Sequence, residues 1–151
     1  VKLKNGYIGP DDRERKPRTK VNRGDAEPIA LEIVMRFEEL EGKKPDDRHK
    51  QQAIGYDIYS EIKGEEERFI EVKHFRGESG DWELTPHQWK KAKQEQDKYF
   101  VYVVSELREG NNPIIEIIQN PVEYLTPNPP IQKRFSNWKN GVIKVIKCQK
   151  V

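Results

Sequence analysis

The sequence predicts an α/β sandwich, and three observations carry that expectation. Residues 25–42 repeat apolar side chains at helical intervals, GYDIYSEIK and RFIEVKHF alternate like strands, and a marked helix start at Thr85 leads into the apolar run YFVYVV. Read in order, these give helix, strand, strand, strand, helix, strand, with further strands appended. At 151 residues the chain is one ordinary domain, long enough to bury a real core.

Each element has its own signature. Asp25 is the expected N-cap of the first helix, with Pro28 in the first turn, where its missing N–H does no harm. Ile29, Ile33, Phe37 and Leu40 then form one apolar face, flanked by Ala30 and Val34, and Gly42 ends the helix. Two strands follow, joined by GEEE. Alternation puts Asp57, Tyr59 and Glu61 on one face of the first, opposite Ile58 and Ile62. In the second, Phe69, Glu71, Lys73 and Phe75 share a face, opposite Ile70 and Val72. HFRGESGDWEL reads as a loop entering a short third strand. Thr85 caps the second helix, with Pro86 at its first position and Gln88 completing a capping box. That helix runs to about Gln96. YFVYVV, apolar on both faces, is the expected central strand. IIEII is another strand, stopped by Asn120-Pro121; a proline-rich loop spans Tyr124 to Pro130, and GVIKVIKC is the last strand after an Asn140-Gly141 turn.

Residues 1–24 carry eight basic and three acidic side chains, two prolines and no apolar period. They read as a basic linker or arm, with one short strand around Tyr7 and Ile8, ahead of a domain over 25–151. Residues 25–71 reverse the balance, with seven basic and fourteen acidic side chains. An acidic middle between basic margins fits a metal centre beside phosphate-binding surfaces, and it equally fits a solvated helix and a charged turn. Charged residues make up 36% of the chain, hydrophobic ones 34%, and mean hydropathy is -0.99, yet the apolar residues are grouped. No run is long enough to span a membrane and no secretory signal stands out, so the expectation is a soluble, intracellular protein. The opening Val reads as a processed chain or a piece of a larger one. The single cysteine, Cys148, excludes a disulfide framework or a Cys-based zinc site within one chain.

The constellation with chemistry in it is Asp57 followed by Glu71-Val72-Lys73. Two carboxylates on adjacent strands suit Mg²⁺ or Mn²⁺, and Lys73, on the face of Glu71, can orient a water or offset charge on a phosphate. Spacing alone does not decide this. Four Glu-x-Lys triplets occur, at Glu14, Glu41, Glu61 and Glu71, and only the last lies in an apolar strand with an acid on the preceding strand. A salt-bridged, solvent-facing strand is the alternative.

The Glu27-led helix, GYDIYS, FIEVK, LTPHQW followed by Ala92, DKYFVYVV and the Asn120-Pro121 strand end come in an order that resembles the domain named for the C-terminus of the plant protein NO VEIN. That family, often attached to helicases and defence proteins, looks like a branch of the PD-(D/E)xK nuclease-like superfamily. The resemblance implies a restriction-endonuclease-like mixed sheet flanked by helices, with an α-β-β-β-α-β core. It also implies Asp57 and Glu71 as ligands of Mg²⁺ or Mn²⁺, Lys73 as the catalytic lysine and Glu27 as a helix acid near a metal-bound water. Gln88 stands where many relatives carry Glu, a departure that leaves its direct role open.

The implied function is metal-dependent hydrolysis of DNA phosphodiesters, beside a helicase or ATPase module in the same chain or complex, with a homodimer as one possible assembly. The alternatives are a non-cleaving nucleic-acid-binding or docking module, and a purely structural interaction domain. Lys90, Lys91 and Lys93 fit phosphate contacts or a solvated helix face equally. His49, His74 and His87 lack zinc spacing, and Trp82, Trp89 and Trp138 read as packing.

Overall fold

The computed structural model describes residues 2–3, 23–126 and 134–149. The strand expected at Tyr7 and Ile8, most of the basic arm and the end of the proline-rich loop lie outside the described residues. In chain order the elements are β1 (Lys2–Leu3), α1 (Arg23–Leu40), β2 (Lys44–Asp47), β3 (Ile58–Ile62), β4 (Glu65–His74), β5 (Trp82–Glu83), α2 (Pro86–Glu95), β6 (Tyr99–Ser105), β7 (Ile114–Gln119), α3 (Pro121–Tyr124), β8 (Arg134–Phe135) and β9 (Val142–Gln149). Seven strands make one mixed sheet in the order β1-β9-β7-β6-β4-β3-β2, with β5 and β8 paired apart from it. None of the described helices is long and apolar enough to cross a membrane.

The helix–strand–strand–strand–helix–strand order of a nuclease-like core is present, but with a different membership. The sequence pattern places the third strand at Trp82, but β5 pairs with β8, Trp82 opposite Phe135, apart from the main sheet. The missing sheet member is β2, antiparallel to β3 from Lys44↔Glu61 to Asp47↔Ile58. KPDD has no apolar residue to announce a strand, and Pro45 is tolerated because β2 is the sheet's edge.

The β3–β4 connection is also shorter than GEEE. Ile62 pairs with Glu65 across Lys63-Gly64, both at positive φ (48° and 77°), the geometry of a tight twisted hairpin turn. Glu66, at φ 50°, accompanies the bulge that follows. β4 and β6 pair in parallel from Phe69↔Tyr99 to His74↔Val104, so the chain must cross over between them, and α2 is that crossover. β6 is buried at every position, as expected for the central strand.

Helix α1 begins at Arg23, so Asp25 lies inside the helix, and Pro28 sits in the second turn, where it leaves the Gly24 carbonyl without its intrahelical donor. Its buried stripe is Ala26, Ala30, Ile33, Val34 and Phe37, while Leu40 is 51% exposed. The expected face had Leu40 inside. Ile33 and Phe37, with Ala30 and Val34, lie inside as the periodicity predicts and Ile29 packs against the core, while Ala26, Leu31 and Glu38 extend the buried side in place of Leu40.

Two cores sandwich the sheet. Under α1 lie Ile58, Ile70, Val72, Phe100, Tyr102 and Val104; under α2 lie Tyr99, Val101, Val103, Trp82, Phe135 and Trp138. The first core encloses a polar knot. Glu38, 0% exposed, accepts a hydrogen bond from the Tyr102 hydroxyl (2.8 Å), which itself accepts one from Arg68 (2.7 Å). Arg68 also lies over the Phe100 ring at 4.4 Å. Tyr102→Phe would leave a buried carboxylate without its donor, so we expect a loss of about 2 kcal/mol. Urea denaturation tests this, and an unchanged midpoint would refute the role given to the hydroxyl.

Candidate functional site

Asp57 is fixed from three directions. Its N–H donates to the Ile70 carbonyl (2.8 Å) and its carbonyl accepts from Arg48 N–H (2.7 Å). Its side-chain Oδ2 accepts from Val72 N–H at 2.9 Å, so the carboxylate reaches across to the strand that bears Glu71. The turn ahead of it is pressed against α2 at Gly55. Gly55 has φ +87°, and a Cβ there would stand 2.7 Å from both the His87 carbonyl oxygen and the Lys91 Cβ, so only glycine fits. Tyr99 holds the same turn by donating its hydroxyl to the Gly55 carbonyl at 2.9 Å.

Glu71 and Lys73 stand on the α2 face of β4, as alternation requires. Glu71 is 4% exposed. Its Oε2 accepts from Lys73 Nζ (3.1 Å) and from Gln88 Nε2 (2.9 Å), whereas its buried Oε1 has no donor. Gln88 joins helix cap and site. Its backbone N–H donates to Thr85 Oγ1 (3.2 Å), and its Oε1 accepts from Thr85 N–H (2.9 Å) and from Lys73 Nζ (3.3 Å). The capping box expected from sequence is therefore complete, and the same amide touches both Glu71 and Lys73.

Burial is the main force on these acids. It pushes Glu71 up to about 8, against the pull of Lys73 and with the nearby Asp57 adding to the rise. Asp57 also rises through burial, opposed by the Val72 N–H, by Lys73 and by a hydrogen bond with Glu71. The two acids thus push each other in opposite directions, Asp57 down and Glu71 up, through that contact. Glu27, exposed on the first turns of α1, is close enough for its charge to raise Asp57.

The structure thus brings together Asp57, Glu71, Lys73 and Gln88, with Glu27 at their margin. The three lysines of α2 part company. Lys90 and Lys93 are exposed, whereas Lys91 pairs with Glu95 (3.2 Å) and lies over the Phe69 ring (4.3 Å), which turns it to packing. His49 pairs with Asp47, His74 is half-buried and His87 exposed.

Among the described residues no three or more His, Cys, Asp or Glu side chains converge. Two carboxyls, one with an oxygen lacking a donor, still fit Mg²⁺ or Mn²⁺, since such ions take one or two carboxylates and otherwise water and phosphate oxygens.

An acid raised from 4.5 to about 8 on folding keeps a proton that the unfolded chain has lost. Its contribution to stability is therefore full below about pH 4.5 and disappears as pH rises through about 8. Asp57 acts in the same direction. Denaturation of the metal-free chain between about pH 5 and about pH 8.5 should show stability falling with pH, and Glu71→Gln should flatten the curve. A Glu71→Gln curve that parallels the parent chain's would contradict the assignment.

The family model described as "Protein NO VEIN, C-terminal" matches residues 26–118, more than half of the 151-residue chain. No curated protein and no solved structure matches. The matched span runs from the first turns of α1 through Asp57, Glu71, Lys73 and Gln88 to β7. The chain belongs to the protein NO VEIN C-terminal family.

Proposed function

We propose that this domain is a metal-dependent nuclease that hydrolyses phosphodiester bonds in DNA. The observation that carries the reading is the buried Asp57–Glu71 pair with Lys73 and Gln88 on the outer oxygen of Glu71. Nothing in a purely structural strand face calls for two adjacent acids where burial penalises their charge. Asp57 and Glu71 would hold Mg²⁺ or Mn²⁺. When bound, such an ion polarises a phosphate oxygen and lowers the pKa of a coordinated water.

The chain's own groups do the rest. Val72 N–H anchors one Asp57 oxygen, and Gln88 fixes both the carboxyl of Glu71 and the ammonium of Lys73. Lys73 is thereby positioned to place a positive charge against a phosphate or to orient the attacking water. Glu27, within electrostatic reach of Asp57, is the helix acid that the family resemblance sets near a metal-bound water. The resemblance to domains attached to helicases and defence proteins supports a role beside a helicase or ATPase module, with duplex cutting by a homodimer as one arrangement. Exposed Lys90 and Lys93 supply charge on the same helix as Gln88.

The test is nicking of supercoiled plasmid with Mn²⁺, Mg²⁺ or EDTA. We expect metal-dependent cleavage, absent in Asp57→Ala together with the heat of metal binding. Lys73→Ala should keep the metal and lose roughly a hundredfold or more in rate. Cleavage that survives Asp57→Ala would overturn the proposal. A second reading, a non-cleaving nucleic-acid-binding module, draws support from the lack of a third converging ligand group among the described residues. Salt-sensitive DNA binding indifferent to metal and to Asp57→Ala would select it.

A further inference from the structure

Beyond Lys73, β4 runs out into a loop that carries a second cationic feature. Phe75 N–H donates to the Val104 carbonyl, Arg108 N–H to the Arg76 carbonyl (2.7 Å) and Glu106 N–H to the Gly77 carbonyl (2.8 Å). The segments after β4 and β6 are therefore zipped together at the carboxyl ends of the parallel pair, the end of an open sheet where ligands commonly bind. Their register sets Arg76 beside Arg108. The guanidinium of Arg108 lies across Gly77, with its Cζ, Nη2 and Nη1 at 3.1, 3.3 and 3.4 Å from where a Cβ would be. Arg76 is half-buried, and its Nε is buried with no acceptor.

Among the described residues neither guanidinium has an ion-pair or hydrogen-bond partner. Of the acids in these loops, Glu106 accepts from Asn111 Nδ2 at 2.7 Å. Partly buried Arg48, Arg68 and Lys91 pair with Asp46, Glu38 and Glu95, whereas half-buried Arg76 and exposed Arg108 have no such counter-charge among the described residues. The loop is also held in place, since Trp138 Nε1 donates to the Gly80 carbonyl at 3.0 Å.

We infer that Arg76 and Arg108, in the loops that follow β4 and β6, form a phosphate clamp for the nucleic-acid backbone beyond the end of the strand that bears Glu71 and Lys73. This rests on the proposed function, because it takes the ligand to be nucleic acid. Arg76 follows Lys73 by three residues, which is at most about 10 Å of chain, so the clamp would grip a phosphate near the scissile one. Arginine suits the task, since its planar fork meets phosphate oxygens two at a time. Such contacts fix position along the backbone without reading bases.

The experiment measures anisotropy of labelled duplex and single-stranded oligonucleotides over a salt series in EDTA, so that turnover plays no part. Arg108→Glu, at an exposed position, is the main variant, with Arg76→Ala and the Arg76→Ala/Arg108→Ala pair beside it. Each single loss should weaken binding by about tenfold regardless of sequence, and lower the slope of log affinity on log salt by about one, with about two for the pair. Mn²⁺ binding measured by calorimetry should be unchanged in all three, which separates loss of the clamp from loss of fold or metal site. A parent chain that binds oligonucleotides while Arg108→Glu and the double variant bind with the same affinity and slope overturns the clamp and leaves the nuclease reading standing. A parent chain that binds neither oligonucleotide overturns both.

Discussion

The burial of Glu71 is the constraint from which the rest of this domain follows. A carboxyl almost closed to water must be paired, hydrogen-bonded or neutral, and Glu71 draws on each of these. Lys73 and Gln88 share one oxygen, and burial beside Asp57 pushes the pKa up to about 8, toward the neutral form. Each device demands a piece of the fold. Gln88 reaches Glu71 only if the first turn of α2 sits over β4, and the parallel pairing of β4 with β6 requires a crossover at that place. Asp57 meets Glu71 only in one register of β3 on β4, which its own bond to Val72 N–H helps to fix. Topology, helix cap and charge balance are one arrangement.

The opposite face of β4 is stabilised by a comparable device. Arg68 turns toward α1 and joins Tyr102 and Glu38 in a buried knot that binds the carboxyl half of the helix to two strands. Ala26 and Ala30 let the amino half lie close to the sheet, and this end brings Glu27 within electrostatic reach of Asp57. A helix held by apolar contacts alone can slide or roll at small cost; one with a buried carboxylate that finds its donor in a single position cannot. The knot thus contributes to the placement of Glu27 from the far end of the same helix.

How far the sequence revealed this depends on where each signal is stored. β3, β4, β6 and α2 were legible because strand alternation, a uniformly apolar run and a capping box are local patterns. Glu71 and Lys73 could be put on one face for the same reason. β2 was not legible: Lys44–Asp47 is made a strand by the backbone groups of β3, with no side-chain pattern of its own. The face of α1 was legible in Ile33, Phe37, Ala30 and Val34, but not at its edges: Leu40 turns outward, and small Ala26 and the acid Glu38 join the buried side without a large apolar group to mark them. Gln88 was visible as a cap, but its grip on Glu71 and Lys73 is a contact between elements. The pairing of Arg76 with Arg108 depends on the β4–β6 register and leaves no trace in either loop alone.

The position of Lys73 shows how one side chain can serve two electrostatic states. In the metal-free chain it lowers the pKa of both Asp57 and Glu71, so it offsets part of the penalty that burial imposes on them. Were a divalent ion held by Asp57 and Glu71, as the proposed function requires, it would offset their charge more strongly than an ammonium does and would favour the ionised form of Glu71. Lys73 would then keep Gln88 Oε1 as its neutral partner and be repelled by the ion beside it. An ammonium so placed would be drawn to the nearest anion, which under that proposal is the phosphate. Gln88, anchored by the cap of α2, carries the oxygen that would keep the lysine at the site once its contact with Glu71 was given up.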